Sequence, residues 1–252
     1  MRKHLIALTC LLSLCGCEKP DPFPADVVRV LKTLRTNPSV REVRKSEALL
    51  DRMRAIESLD VRRKMIAEWK SALLSAPVEK FPLRDGCWSI RAICETLNWE
   101  VTGAMADAGC DYGERWAVVV ETLKWLDEKM DERNPRMSKP CGTWREEAGR
   151  WNDYLFLSEF RENLIENIER NWFDVRRHAG DDSKIVEAKT QFEILIGRRV
   201  RSPDEIKALG FYTKQVVGRL QEERNAALNR HARVGKSNCG YRMNIDNDEK
   251  VR

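Results

Sequence analysis

The sequence predicts an all-α protein, an irregular multi-helix bundle around one long central helix. Three observations carry this. Apolar residues recur at three- and four-residue spacing along most of the chain. The periodic stretches are bounded by helix start and stop signals, such as Ser39 with Glu42, Thr143 with Glu146, Ser202-Pro203, Asn37-Pro38 and Asn134-Pro135. No run alternates apolar and polar residues long enough to require a strand. The eight tryptophans fall at irregular intervals, which argues against a repeat array.

The first element is Met1 to Cys17. Arg2, Lys3 and His4 are followed by the uncharged run Leu5–Leu14, then by Cys15-Gly16-Cys17 and the polar residues beyond. A basic start, a short apolar core and small residues before a boundary are the three parts of an export signal. The run is too short to span a bilayer, which takes about 20 helical residues. Leu14, Cys15, Gly16 and Cys17 resemble the lipobox of bacterial lipoproteins, in which a Leu, a variable residue and a small residue precede a Cys. The resemblance implies diacylglycerol on the Cys17 thiol, cleavage after Gly16 and acylation of the new amino terminus. Cys15 departs from the usual residue at the variable place. Each buried CH₂ contributes about 0.8 kcal/mol, and lasting attachment takes more than one chain, as this modification would supply. Glu18–Pro24 holds three prolines and reads as a short extended spacer. The expected organisation is a signal peptide over 1–16, a lipidated Cys and Pro-rich tether over 17–25, a helical domain over 26–233 and a loose tail over 234–252.

About eight helices are expected. The first carries Val27, Val30, Leu31 and Leu34 on one face and stops at Asn37-Pro38. The second starts at a Ser39/Glu42 capping box and runs through Val43, Leu49, Met53 and Ile56. Asp60 is the expected cap of the third, which bears Met65, Trp69 and Leu73 and ends by Pro77. These three read as antiparallel neighbours that could form a separable layer. Asp85 is the expected cap of a helix bearing Trp88, Ile90, Ile93 and Leu97. Trp99–Gly109 reads as a loop or a poor helix. Asp111 with Glu114 starts the helix of Trp116, Leu123, Leu126 and Met130. Thr143 with Glu146 starts the long one, whose large apolar residues spread wider than a single stripe; it ends before Gly180 and reads as core rather than as a ligand groove. Asp182 or Ser183 opens a helix that Gly197 closes. Ser202-Pro203-Asp204-Glu205 opens a short one. The last is expected from Tyr212 to Ala232, weakened at Gly218 by roughly 1 kcal/mol relative to Ala.

The formal net charge is +5, with basic flanks over 18–78 and 176–252 and an acidic middle over 79–175. Lys and Arg are read as solvating helix faces and pairing with that middle. So mild a charge, on an exported chain, counts against nucleic acid as a partner. Beyond Cys17 the mature chain has Cys87, Cys94, Cys110, Cys141 and Cys239. Export admits disulfides. Cys87 and Cys94 on one helix would sit about 10.5 Å apart along its axis, too far to bond each other, so in disulfides each would need another partner, with Cys110 and Cys141 the candidates; the alternative is a fully reduced set packed as small hydrophobic residues. A Cys87 nucleophile near a helix start would need a base, and neither His178 nor His231 lies in a catalytic pattern. Neighbouring carboxylates such as Glu146-Glu147 or Asp127-Glu128 point about 100° apart on a helix and make no hydrolytic pair. No Cys or His pair has metal-ligand spacing and no phosphate loop is present. No cofactor, metal or catalytic residue is expected, and Cys17 is the one site residue, for lipidation. The expected partners are a membrane, through the lipid, and an envelope protein. The favoured function is a non-enzymatic binding or assembly module of the bacterial cell envelope. Its rivals are a wall-directed enzyme with carboxylates assembled by the fold, and a small-ligand binder using Trp144, Trp151 or Trp172.

Overall fold

The computed structural model describes residues 23–137, 143–179, 183–209 and 212–238. Cys17, the signal peptide, most of the tether, Cys141, Cys239 and residues 239–252 lie outside them. Among the described residues every regular element is helical and there is no strand. The helices are α1 (Ala25–Thr36), α2 (Val40–Ser46), α3 (Leu49–Arg54), α4 (Leu59–Leu74), α5 (Leu83–Glu95), α6 (Thr102–Asp107), α7 (Tyr112–Asp131), α8 (Trp144–Ala179), α9 (Ser183–Ile196), α10 (Pro203–Leu209) and α11 (Tyr212–Asn238). A 3₁₀ turn covers Val78–Lys80, and a π-helical turn, Thr96–Val101, joins α5 to α6. None of the described helices is long and apolar enough to cross a membrane.

The local signals act as expected at several ends. Asp111 and Glu114 form a reciprocal capping box at α7, with bonds of 2.7 and 3.0 Å. Thr143 and Glu146 form one at α8, and Ser202 and Glu205 one at α10. Gly197, at φ 67°, ends α9 in the left-handed region that favours glycine.

Other ends differ. Ser39 accepts from the Glu42 N–H, but the Glu42 carboxylate takes Lys45 instead of closing the box. The expected second helix is broken in two after Ser46. The Ser46 hydroxyl donates to the Val43 carbonyl at 2.6 Å and accepts from the Trp69 indole at 3.0 Å, and the chain tightens into i→i+3 bonds at Glu47 and Ala48. Ser58, not Asp60, caps α4. Helix α5 begins at Leu83, so Asp85 lies in its first turn rather than at its cap. Of the two readings of Trp99–Gly109, a loop or a poor helix, the helical one holds: the end of the π turn and the short α6 cover Trp99–Asp107. Helix α11 continues to Asn238, beyond Ala232.

Helix α8, 36 residues and about 54 Å long, packs against α5, α7, α10 and α11. Its Trp151, Leu157, Leu164, Ile165, Ile168 and Trp172 are buried. One continuous apolar core runs from Val27 on α1 to Leu220 on α11. The first helices are therefore not a separable layer: α2 packs on α5, and α4 on the π turn. At the far side α9 lies on α7 so closely that a Cβ at Gly113 would sit 2.3 Å from the Lys184 Cβ and 3.2 Å from its backbone.

Candidate functional site

The π turn shapes a place where an exposed aromatic ring and polar side chains without protein partners meet. A π turn carries an extra residue per turn, so the inward stripe of α5 widens there. Thr96, Leu97 and Asn98 all face inward, while Trp99 is thrown outward and is 52% exposed. The Thr102 hydroxyl donates to the Asn98 carbonyl at 2.6 Å, supporting the widened turn.

Opposite this turn, α8 presents two adjacent rows at four-residue spacing. One is apolar: Phe156, Phe160, Leu164 and Ile168. The other is polar and exposed: Glu159, Asn163, Asn167 and Asn171. Between α5, the π turn and α8 lies an open groove of about 270 Å³, lined among others by Arg91, Trp99, Phe160 and Asn163. A second pocket of about 90 Å³, bounded by Asn98, Trp116 and Asn171, shares Trp99, Leu164 and Asn167 with it.

Two charges of the groove, Arg91 and Glu95, are paired within the protein. Arg91 Nε donates to Glu95 at 2.8 Å, and Arg44 donates to the other Glu95 oxygen. The Arg91 guanidinium also lies 5.7 Å from the Trp88 ring centre, 5.8 Å from that of Phe156 and 5.5 Å from that of Phe160. Trp88, 44% exposed, stacks at a tilt on Phe156 with 4.6 Å between ring centres.

The amides are the reverse case. Asn98 is only 7% exposed, yet neither its oxygen nor its nitrogen has a hydrogen-bond partner. A buried polar group left this way costs about 1–3 kcal/mol. Among the described residues the side chains of Asn163, Asn167 and Asn171 are bonded to nothing either.

The residues expected from sequence fall elsewhere. Trp151 and Trp172 are core, and Trp172 meets Trp116 edge-on at 4.9 Å between ring centres. Trp144 is exposed but outside the groove, so none of the three expected tryptophans lines it. Cys87, Cys94 and Cys110 are free thiols. Burial pushes all three up, Cys87 to about 12, which is the opposite of an activated nucleophile. His231 is on α11; the His178 side chain lies outside the described residues, as do Cys141 and Cys239. Glu146 serves the α8 cap, and Glu147 accepts from the Trp151 indole at 3.2 Å. Asp127 accepts twice from Arg161, at 2.5 and 3.0 Å. A carboxyl raised by burial is Asp153, which Arg84 and Arg133 pull partly back; it does not line the groove. No cluster able to hold a metal ion occurs among the described residues.

Sequence reasoning missed Trp99, Asn98 and the asparagine row. The row was readable, since Glu159, Asn163, Asn167 and Asn171 sit at strict four-residue steps inside a recognised helix. Asn98 was not, because nothing in its neighbours marks a π turn. Comparison of the chain with protein-family models, with curated proteins and with solved structures finds no match.

Proposed function

We propose that this chain is an exported bacterial envelope protein, anchored through lipid on Cys17, whose helical domain acts by binding rather than by catalysis. The groove between the π turn and α8 is its binding face. The observation that carries the reading is the exposed Trp99 beside the exposed amides of Asn163 and Asn167, which line the groove and bond to no group among the described residues. Groups that converge on a groove and are satisfied by nothing within the protein are suited to an outside partner.

One observation favours a wall-directed enzyme: Glu95 and Glu159 line the same groove. Against it, Glu95 gives its two oxygens to Arg44 and Arg91 and is not free to exchange a proton with a substrate. Release of reducing ends from purified cell wall, abolished by Glu159→Gln, would replace the binding reading with the enzymatic one.

The binding face is tested with a photocrosslinking residue at Asn163, compared with one at Glu222 on the exposed side of α11, in the native envelope. Capture of an envelope component from Asn163 and not from Glu222 is expected; equal capture from both removes the groove from the proposal. The anchor is tested separately. Cys17→Ala should accumulate uncleaved and take up no fatty-acid probe. Normal labelling of that variant would move the modification, with Cys15 the first candidate.

A further inference from the structure

We infer that the occupant of the groove is a glycan, a chain of uncharged pyranose rings seated with an apolar face against the exposed Trp99 ring and its hydroxyl edges along Glu159, Asn163 and Asn167. This rests on the reading of the groove as the binding face and names its ligand.

The lining excludes other chemistries in turn. A cationic ligand would meet the Arg91 guanidinium in the groove, which already lies over Trp88, Phe156 and Phe160. An anionic ligand needs unpaired cations. Here Arg91 and Arg44 both serve Glu95, and Glu159 adds a negative charge. A β-strand addition needs a sheet edge, and there is no strand among the described residues. A proline-rich peptide offers chiefly carbonyl acceptors, because proline has no N–H. Glu159 can only accept, and each asparagine both donates and accepts. The partner must therefore supply donors and acceptors side by side, together with an apolar face.

A pyranose ring does this. Its C–H groups make one face apolar, while each hydroxyl at its edge donates and accepts. The exposed Trp99 ring and the neutral amides of Asn163 and Asn167 lining the same groove match that division.

The test uses the full chain purified in a zwitterionic detergent free of sugar headgroups. Isothermal titration measures binding of the N-acetylglucosamine tetramer, of cellotetraose and of a proline-rich peptide. At least one tetrasaccharide should bind. Trp99→Ala and Asn167→Ala should each weaken it by about tenfold or more with an unchanged circular dichroism spectrum. Both sites are exposed, and alanine favours the helix at 167, so folding is not at stake. Co-sedimentation with purified cell-wall sacculi, or with vesicles containing digalactosyl diacylglycerol, separates a wall glycan from a lipid-borne one. Pelleting with either, lost in Trp99→Ala, supports the inference. Binding of the peptide but of neither tetrasaccharide overturns it, as does glycan binding unaffected by both substitutions. Failure of both glycans while Asn163 still crosslinks an envelope component would remove the glycan and leave the binding face. Failure of both experiments would remove the two together.

Discussion

Glu169 carries a charge to a position with 0% exposure on α8. Arg198 and Arg201 both donate to it, Arg201 also through its backbone N–H at 2.9 Å, so the connector after α9 is tied to the central helix. Burial alone would raise this carboxyl; the bonds from Arg198 and Arg201 outweigh it and hold it below its usual value. The unfolded chain therefore binds the proton first as pH falls. The stabilisation is complete above the unfolded pKa, near 4.5, and is lost as pH drops through the lower folded value. Glu169→Gln should cost about 3 kcal/mol at pH 7, because it leaves guanidiniums without their counter-charge, and should flatten the acid limb; urea unfolding between neutral and acid pH measures both. Cys87 acts at the other end of the scale. Its folded pKa is raised from 9.0 to about 12, chiefly by burial. Between those values the folded state keeps a proton that the unfolded state releases, so stability falls as pH rises through that window. The urea midpoint should decline above about pH 9, and less steeply in Cys87→Ala. In the native protein the buried Cys87 and Cys94 should resist a thiol reagent that reaches the half-buried Cys110. Glu169 was not legible as a residue with a role, and Cys87, weighed as a nucleophile and as half of a disulfide, was not legible as a buried thiol, since the burial and the partners come from elements distant in the sequence.

Element boundaries were legible where the signal is chemical and local. Asp111/Glu114, Thr143/Glu146 and Ser202/Glu205 each satisfy orphan N–H groups within four residues, so sequence alone suffices. The break after Ser46 depends on Trp69, and the π turn depends on what α4, α7 and α8 leave as space; such causes are tertiary and leave no local mark. Two substitutions probe this level. Gly113→Ala brings a methyl against Lys184 and Ile185 and must push α9 away from α7; a loss of about 1–3 kcal/mol in thermal unfolding is expected, against a gain of up to about 1 kcal/mol for Gly149→Ala at an open helical site. Asn98→Leu replaces an unpartnered buried amide by an apolar group of similar size. It should leave the fold as stable or up to about 1 kcal/mol more so in thermal unfolding. A clear loss of stability would show instead that the amide serves the fold.

At the scale of the molecule, the all-α class and the central helix were legible from period and length, because α8 carries more apolar residues than one stripe can hold. Its partition into core and groove was not, since Trp151 and Trp99 look alike until their neighbours are in place. The continuous core joins α1 to α11, so fluorescence and circular dichroism should report one coincident unfolding transition, and a fragment over residues 26–77 should not fold alone. The rows on α8 have a further consequence. Three like amides at equal steps of about 6 Å, over some 12 Å of helix, define no unique register. A polymer lying along them can shift by one helical turn and meet the same groups again without dissociating. Retention then grows with the length of the polymer and with the number of equivalent registers rather than with the strength of any one contact. A protein held to a membrane by lipid and to a long polymer by such a ladder would be fixed in its distance from the membrane yet free to travel along the strand.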